Sequence, residues 1–141
     1  MEESIIHNGE IRPLNCQLVH TFTPGLYSRQ ITMPKDSLIL SEIHLTEHQF
    51  VVSKGIACVK VNENDWEILE APYHGITKPG TCRLLGITEE CVWTTFHPAT
   101  EMPENDSPEA FLKAVAEIEA RIIKKHELSG SEFNSQLIEK Q

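Results

Sequence analysis

Long apolar runs are missing from this chain, and so is any excess of cations. No stretch approaches the roughly 18 consecutive apolar residues of a membrane helix. The opening Met1-Glu2-Glu3-Ser4 is acidic and is followed by no apolar segment of the kind a secretory leader carries. A cytoplasmic location is therefore expected. Only 12 Lys and Arg stand against 21 Asp and Glu, for a net charge of −9, so the basic face that duplex nucleic acid requires is absent. A small anionic ligand is still allowed, because local charge in a pocket can oppose the global sign. The four cysteines, Cys16, Cys58, Cys82 and Cys91, form no C-x-x-C pair, which removes zinc-ribbon and dithiol redox readings. Each lies in a β-like run and reads as a reduced, half-buried thiol. Nucleophile-elbow, Walker and dinucleotide-glycine patterns are also absent, as are internal repeats and low-complexity segments.

What is present fits one domain with its own core: 141 residues, 40% hydrophobic and 23% charged. Short β-like runs recur over 14–22, 26–33, 37–44, 50–53, 56–61, 66–69, 81–88 and 91–97, with turn signals at Thr23-Pro24-Gly25, Pro34-Lys35-Asp36, Gly55, Asn62-Glu63-Asn64-Asp65 and Glu89-Glu90. Strands spaced about 8–12 residues apart predict a sandwich or barrel, and eight of them suit a jelly roll. After His97-Pro98 the character changes. Pro103 and Glu104-Asn105-Asp106 read as a linker. Ser107-Pro108-Glu109 is a helix start, with a capping hydroxyl, a first-turn proline and an acid at the positive end of the dipole. Phe111, Val115, Ile118 and Ile122 recur at helical spacing, and Lys124-Lys125-His126 suit the helix C-terminus. The predicted layout is an arm over 1–13, a barrel over 14–98, a linker and amphipathic helix over 99–128 (helix 108–126), and a flexible tail over 129–141. The helix either packs on its own barrel or joins a neighbouring subunit.

The most informative stretch is Glu42-Ile43-His44-Leu45-Thr46-Glu47-His48-Gln49-Phe50-Val51-Val52-Ser53-Lys54-Gly55. His44 and His48 stand four apart, but their flanks favour strands over a helix. On one straight strand such residues lie roughly 13 Å apart, whereas ring nitrogens on one metal lie about 2.0–2.1 Å from it. Both can serve one site only if the chain turns at Leu45-Thr46-Glu47.

This order resembles the first motif of the cupins, in which two histidines and a glutamate precede an apolar strand ending in glycine. His48 takes the place where that motif has its glutamate, and Arg83 stands where the second motif, here Pro79-Gly80 onward, has its histidine. The phrases Pro24-Gly25-Leu26-Tyr27-Ser28-Arg29, Lys78-Pro79-Gly80-Thr81-Cys82-Arg83 and Val92-Trp93-Thr94-Thr95-Phe96-His97 are similar to small cupin-like proteins of phage and prophage genomes, mostly without assigned function. The resemblance covers residues 20–98. It implies a mainly β, cupin-like double-stranded β-helix, a jelly-roll barrel with one C-terminal α-helix, and in a phage setting the sequestering of a host metabolite or nucleotide signal.

Two site chemistries follow. His44, His48 and His97, with Glu47 or His74 as extra ligands, could hold a divalent transition metal such as Zn, Fe, Ni, Cu or Mn. In a metal-dependent isomerase or oxygenase Glu47 would be the general base. Alternatively, these are polar strand residues. The Arg83 cation opposes a metal close by. Tyr27, Arg29, Thr77, Lys78, Thr81 and Arg83 form the second set, a polar group suited to a small anion. Thr81 and Arg83 share a face, as do Tyr27 and Arg29, and the guanidinium fork matches carboxylate or phosphate. Glu42, Glu47 or Glu90 are the internal partners that would instead neutralise these cations. Trp66 and Trp93 read as core or interface residues. A small polar or anionic ligand is the expected partner, without duplex nucleic acid or membrane. A homodimer is expected on general grounds, and a purely structural or assembly role is the third reading.

Overall fold

The computed structural model describes residues 4–7, 10–13, 16–100, 102–103 and 107–124. The expected flexible tail, the basic end Lys125-His126 and the linker run 104–106 lie outside the described residues.

The chain forms eleven strands and one helix among these residues. Strands β1 (Ser4–His7) and β2 (Glu10–Pro13) pair antiparallel within the expected arm. Strands β3 (Gln17–Thr23) and β4 (Leu26–Met33) form a hairpin whose turn places Gly25 at φ +81, a conformation that favours glycine. Next come β5 (Leu38–Leu40), β6 (Ile43–His44), β7 (His48–Val61), β8 (Trp66–Glu70), β9 (Tyr73–Thr77) and β10 (Arg83–Pro98). Helix α1 (Pro108–Ile122) and the short β11 (Ile123–Lys124) close the described chain. Nine strands make one folded-over sheet in the order β2-β1-β5-β10-β4-β3, with β7 pairing β10, β8 and β9.

Two long strands replace four predicted short ones. Residues 50–53 and 56–61 belong to the single 14-residue β7, and 83–88 and 91–97 to the 16-residue β10, which starts two residues later than expected. Glu89-Glu90 is not a tight connection; it sits in a register shift where β10 bulges and bends against β7. Gly55 is not followed by a turn. It lies within β7 at φ +87, where a Cβ would collide with the Glu90 carbonyl, so the two bent strands pass only because the side chain is missing. The first half of β10 pairs β5 and the end of β7; its second half pairs β4 and the start of β7. The predicted strand 37–44 is split into β5 and β6 at Ser41-Glu42, and β9 was not foreseen.

Alternation then fixes the interior. Along β10 the inward residues are Arg83, Leu85, Ile87, Cys91, Trp93, Thr95 and His97, all buried. The barrel core gathers Ile31, Met33, Ile39, Phe50, Val52, Val59, Leu85 and Trp93. A second cluster, Tyr27, Ala99, Val115, Ile118, Ile122 and Ile123, joins one end of the barrel to α1. The helix thus packs on its own barrel. Ser107 caps it, accepting from the Ala110 amide at 3.3 Å. It stops at Ile122, earlier than expected, because Ile123 and Lys124 turn extended and pair with His44 and Ile43. No helix among the described residues is long and apolar enough to cross a membrane.

Candidate functional site

The corner required at Leu45-Thr46-Glu47 is present. His44 ends β6, His48 begins β7, and their rings lie 4.8 Å apart between centroids. His97, near the end of β10, brings a third ring to 4.4 Å from His48. All three are buried. His48 Nδ1 donates to the Thr46 carbonyl at 2.9 Å, which fixes the proton on Nδ1 and leaves the Nε2 lone pair unprotonated. His97 Nε2 and the Thr95 hydroxyl share a 2.9 Å hydrogen bond. His44 Nδ1, His48 Nε2 and His97 Nδ1 are buried without a hydrogen-bond partner among the described residues. Burial, then the neighbouring histidines, push His44 and His97 down to about 3, and burial also lowers His48. The rings are therefore neutral at physiological pH, which is the ligating form of imidazole. In donor type the trio suits a transition metal. In arrangement it does not, since among the described residues no group of three His, Cys, Asp or Glu side chains is disposed to hold an ion.

Beside the histidines stand two buried arginines. Arg29 pairs with Glu119 of α1 at 3.0 Å, Nε to Oε2, with both side chains almost fully buried. Arg83 donates from NH1 to the Thr77 hydroxyl at 2.9 Å and lies over two rings, 4.8 Å from the Phe50 centroid and 5.5 Å from that of Trp93. Those rings stack on each other at 4.5 Å. Among the described residues Arg83 makes no ion pair with a carboxylate. Burial lowers it only to about 10, so it stays charged at neutral pH. The strand register aligns these groups: Tyr27 faces His97, Arg29 faces Thr95, and Thr95 faces Phe50.

Two spaces flank Arg83. An inner cavity of about 30 Å³ is lined by Arg29, Ser41, His44, Arg83, Trp93 and Thr95, among others. An outer cleft of about 190 Å³ runs between β7, β8 and β9 and has Arg83 and Thr81 in its wall.

Of the expected anion set, Tyr27, Arg29, Thr77, Thr81 and Arg83 are buried. Lys78 is exposed at the mouth of the outer cleft and pairs with Glu47 at 2.6 Å. Neither Lys78 nor Glu47 joins the histidines. Glu90 pairs with Lys54 at the surface, and His74 shares an exposed hydrogen bond with Gln49. Trp93 is core, whereas Trp66 is largely exposed.

Three residues escaped the sequence reading. Glu119 had a signal: it lies on the same helical stripe as Val115, Ile118 and Ile122, and a carboxylate on an apolar stripe needs a cation. Thr95 stands two before His97 and shares its face. His20 shares a 2.7 Å hydrogen bond with the Tyr27 hydroxyl and is lowered by burial and by Arg29; only the β3–β4 register could have found it. Burial, and secondarily Glu119, raise the Tyr27 hydroxyl well above its ordinary value. Burial also raises the Cys91 thiol to about 11, leaving it protonated and unreactive.

No protein-family profile matches the chain, and no curated protein does. Solved structures do. Salicylate 1,2-dioxygenase from Pseudoaminobacter salicylatoxidans, in adducts with gentisate, superposes with a TM-score of 0.55 at 11% identity, over 80% of this chain but 29% of that one. Protein NMB1881 from Neisseria meningitidis gives 0.51 at 7% identity, covering 59% and 84%. A Klebsiella pneumoniae protein with a double-stranded β-helix domain gives 0.50 at 18% identity, covering 64% and 90%. At such identities the likeness concerns architecture, and the chain has the cupin-like double-stranded β-helix fold with one added C-terminal helix.

Proposed function

We propose that this protein binds a small anionic molecule in the barrel, with the Arg83 guanidinium as its anchor. One observation carries this: Arg83 is a buried cation held by a hydroxyl and two aromatic faces, with no carboxylate ion pair among the described residues. A buried charge without a counter-charge is costly, and a bound anion would supply one through a forked, charge-assisted contact. Thr77 and Thr81 add hydroxyls beside it. The likeness to phage proteins extends the proposal to sequestering a host metabolite or nucleotide signal in the host cytoplasm, and the unit that does so is a homodimer.

Titration calorimetry with acetate, bicarbonate and inorganic phosphate tests the anchor. At least one of them binds the wild type, and Arg83→Gln weakens it by tenfold or more while circular dichroism stays native. Lys78→Ala changes binding less than twofold, because Lys78 is solvated and already paired. Silence towards every anion, or equal binding by the Gln variant, removes the proposal.

A second reading, a metal-dependent isomerase or oxygenase, draws on donor type alone: the ring nitrogens of His44, His48 and His97 that have no hydrogen-bond partner among the described residues. It expects about one transition metal per chain by mass spectrometry, lost in the His44→Ala/His48→Ala double variant. Metal-free wild type returns the histidines to a structural role.

A further inference from the structure

We infer that the anion anchored on Arg83 is a monocarboxylate with an apolar body about the size of one six-membered ring, and that this body sits in the outer cleft. The inference rests on the anion-binding reading above and adds the ligand's shape and charge.

Size places the body on one side of Arg83. The inner cavity of about 30 Å³ takes a water or two; no ligand body fits there. The outer cleft, at about 190 Å³, exceeds the roughly 150 Å³ apolar cavity that accommodates benzene. Its walls are chiefly apolar: Phe50, Val59, Val61, Leu69 and Tyr73. Gly75 sits where a Cβ would come within 2.6 Å of the Phe50 ring. A side chain there would displace Phe50 and with it one of the two rings against Arg83. Small polar sites are usually recognised by one or two placed polar groups in such an apolar setting, and here those groups are Arg83 and Thr81.

Charge limits the ligand to one negative group. Thr77 takes a single N–H of Arg83, leaving the rest of the five-donor fork for a carboxylate. At the mouth Lys78 is engaged by Glu47, and Glu67 adds a carboxylate to the cleft wall. A second negative charge on the ligand would therefore meet Glu67 without a cation of its own.

The test uses five probes on the full chain: benzoate, its uncharged counterpart benzyl alcohol, and acetate, bicarbonate and inorganic phosphate, which have the charge without the body. The expected result is benzoate binding at least tenfold tighter than any of the others, with Tyr73→Ala weakening benzoate several-fold and acetate hardly at all. Acetate or inorganic phosphate binding as tightly as benzoate, with both lost in Arg83→Gln, overturns the shape inference and leaves the anion reading standing. Benzyl alcohol binding as tightly as benzoate, or no binding by any probe, overturns both. The probe comparison is made on the wild type, so it decides even if a variant does not fold.

Discussion

His44 and His97 are buried bases kept neutral by the same environment that surrounds them with other potential cations. This has a consequence for stability that can be worked out in sign. The unfolded chain takes up a proton at each ring near the ordinary value of 6.5, whereas the folded chain does so only near 3. Stability from these rings is therefore complete above pH 6.5 and is lost as pH falls towards 3. Each ring contributes a slope of up to about 1.4 kcal/mol per pH unit in that window. Urea titrations of the metal-free protein at pH 7, 6 and 5 should show this decline, and it should become shallower in His97→Gln. An identical slope in the variant would mean that other groups set the acid limit. Arg83 does not titrate in this range, so its demand for a counter-charge persists across the whole window.

Helix α1 does more than cover the barrel end. Glu119 sends a carboxylate down to Arg29, and β11, directly after the helix, pairs with His44, whose neighbour Leu45 donates to the Ile122 carbonyl at 2.6 Å. The helix thus touches both the arginine and the histidine sides of the site. Removing one member of a buried ion pair leaves the other charge buried with less compensation, at a cost of about 3–5 kcal/mol. Glu119→Ala should therefore destabilise the fold by about that amount in chemical denaturation. Replacing the pair together, as Arg29→Met/Glu119→Leu, should cost much less, because similar volumes of apolar side chain replace both charges. Equal losses in the single and double variants would show that the pair matters for packing rather than charge.

For the whole molecule, the two bent strands β7 and β10 fold the sheet over and leave an outer face with exposed apolar side chains. Ile68 is 72% exposed, Ile76 54% and Trp66 45%. Among the described residues β8 pairs only with β7, so its other edge is open. A homodimer that covers this face should sediment at twice the 16.0 kDa chain mass, and Ile68→Lys should return it to monomer. A wild type that stays monomeric at tens of micromolar, on the order of ordinary laboratory concentrations, would sink the dimer.

The local rules written in the sequence were enough for much of this. Period-two alternation put Arg83 with Thr81, Tyr27 with Arg29, and the strand residues of the barrel on consistent faces, because it depends only on neighbouring backbone geometry. The capped, striped helix was equally legible, as was the need for a corner between His44 and His48. Other features depended on contacts between distant segments. Whether Gly55 and Glu89-Glu90 ended strands or bent them was decided by the close crossing of β7 and β10, since turn-prone residues serve equally well in a bulge. That Arg29 meets Glu119, and Arg83, among the described residues, meets a hydroxyl and two rings, follows from where the helix and the strands settle. A single sequence specifies which side chains need a partner, through the cost of burying charge and polarity. Tertiary packing decides which of them receive one.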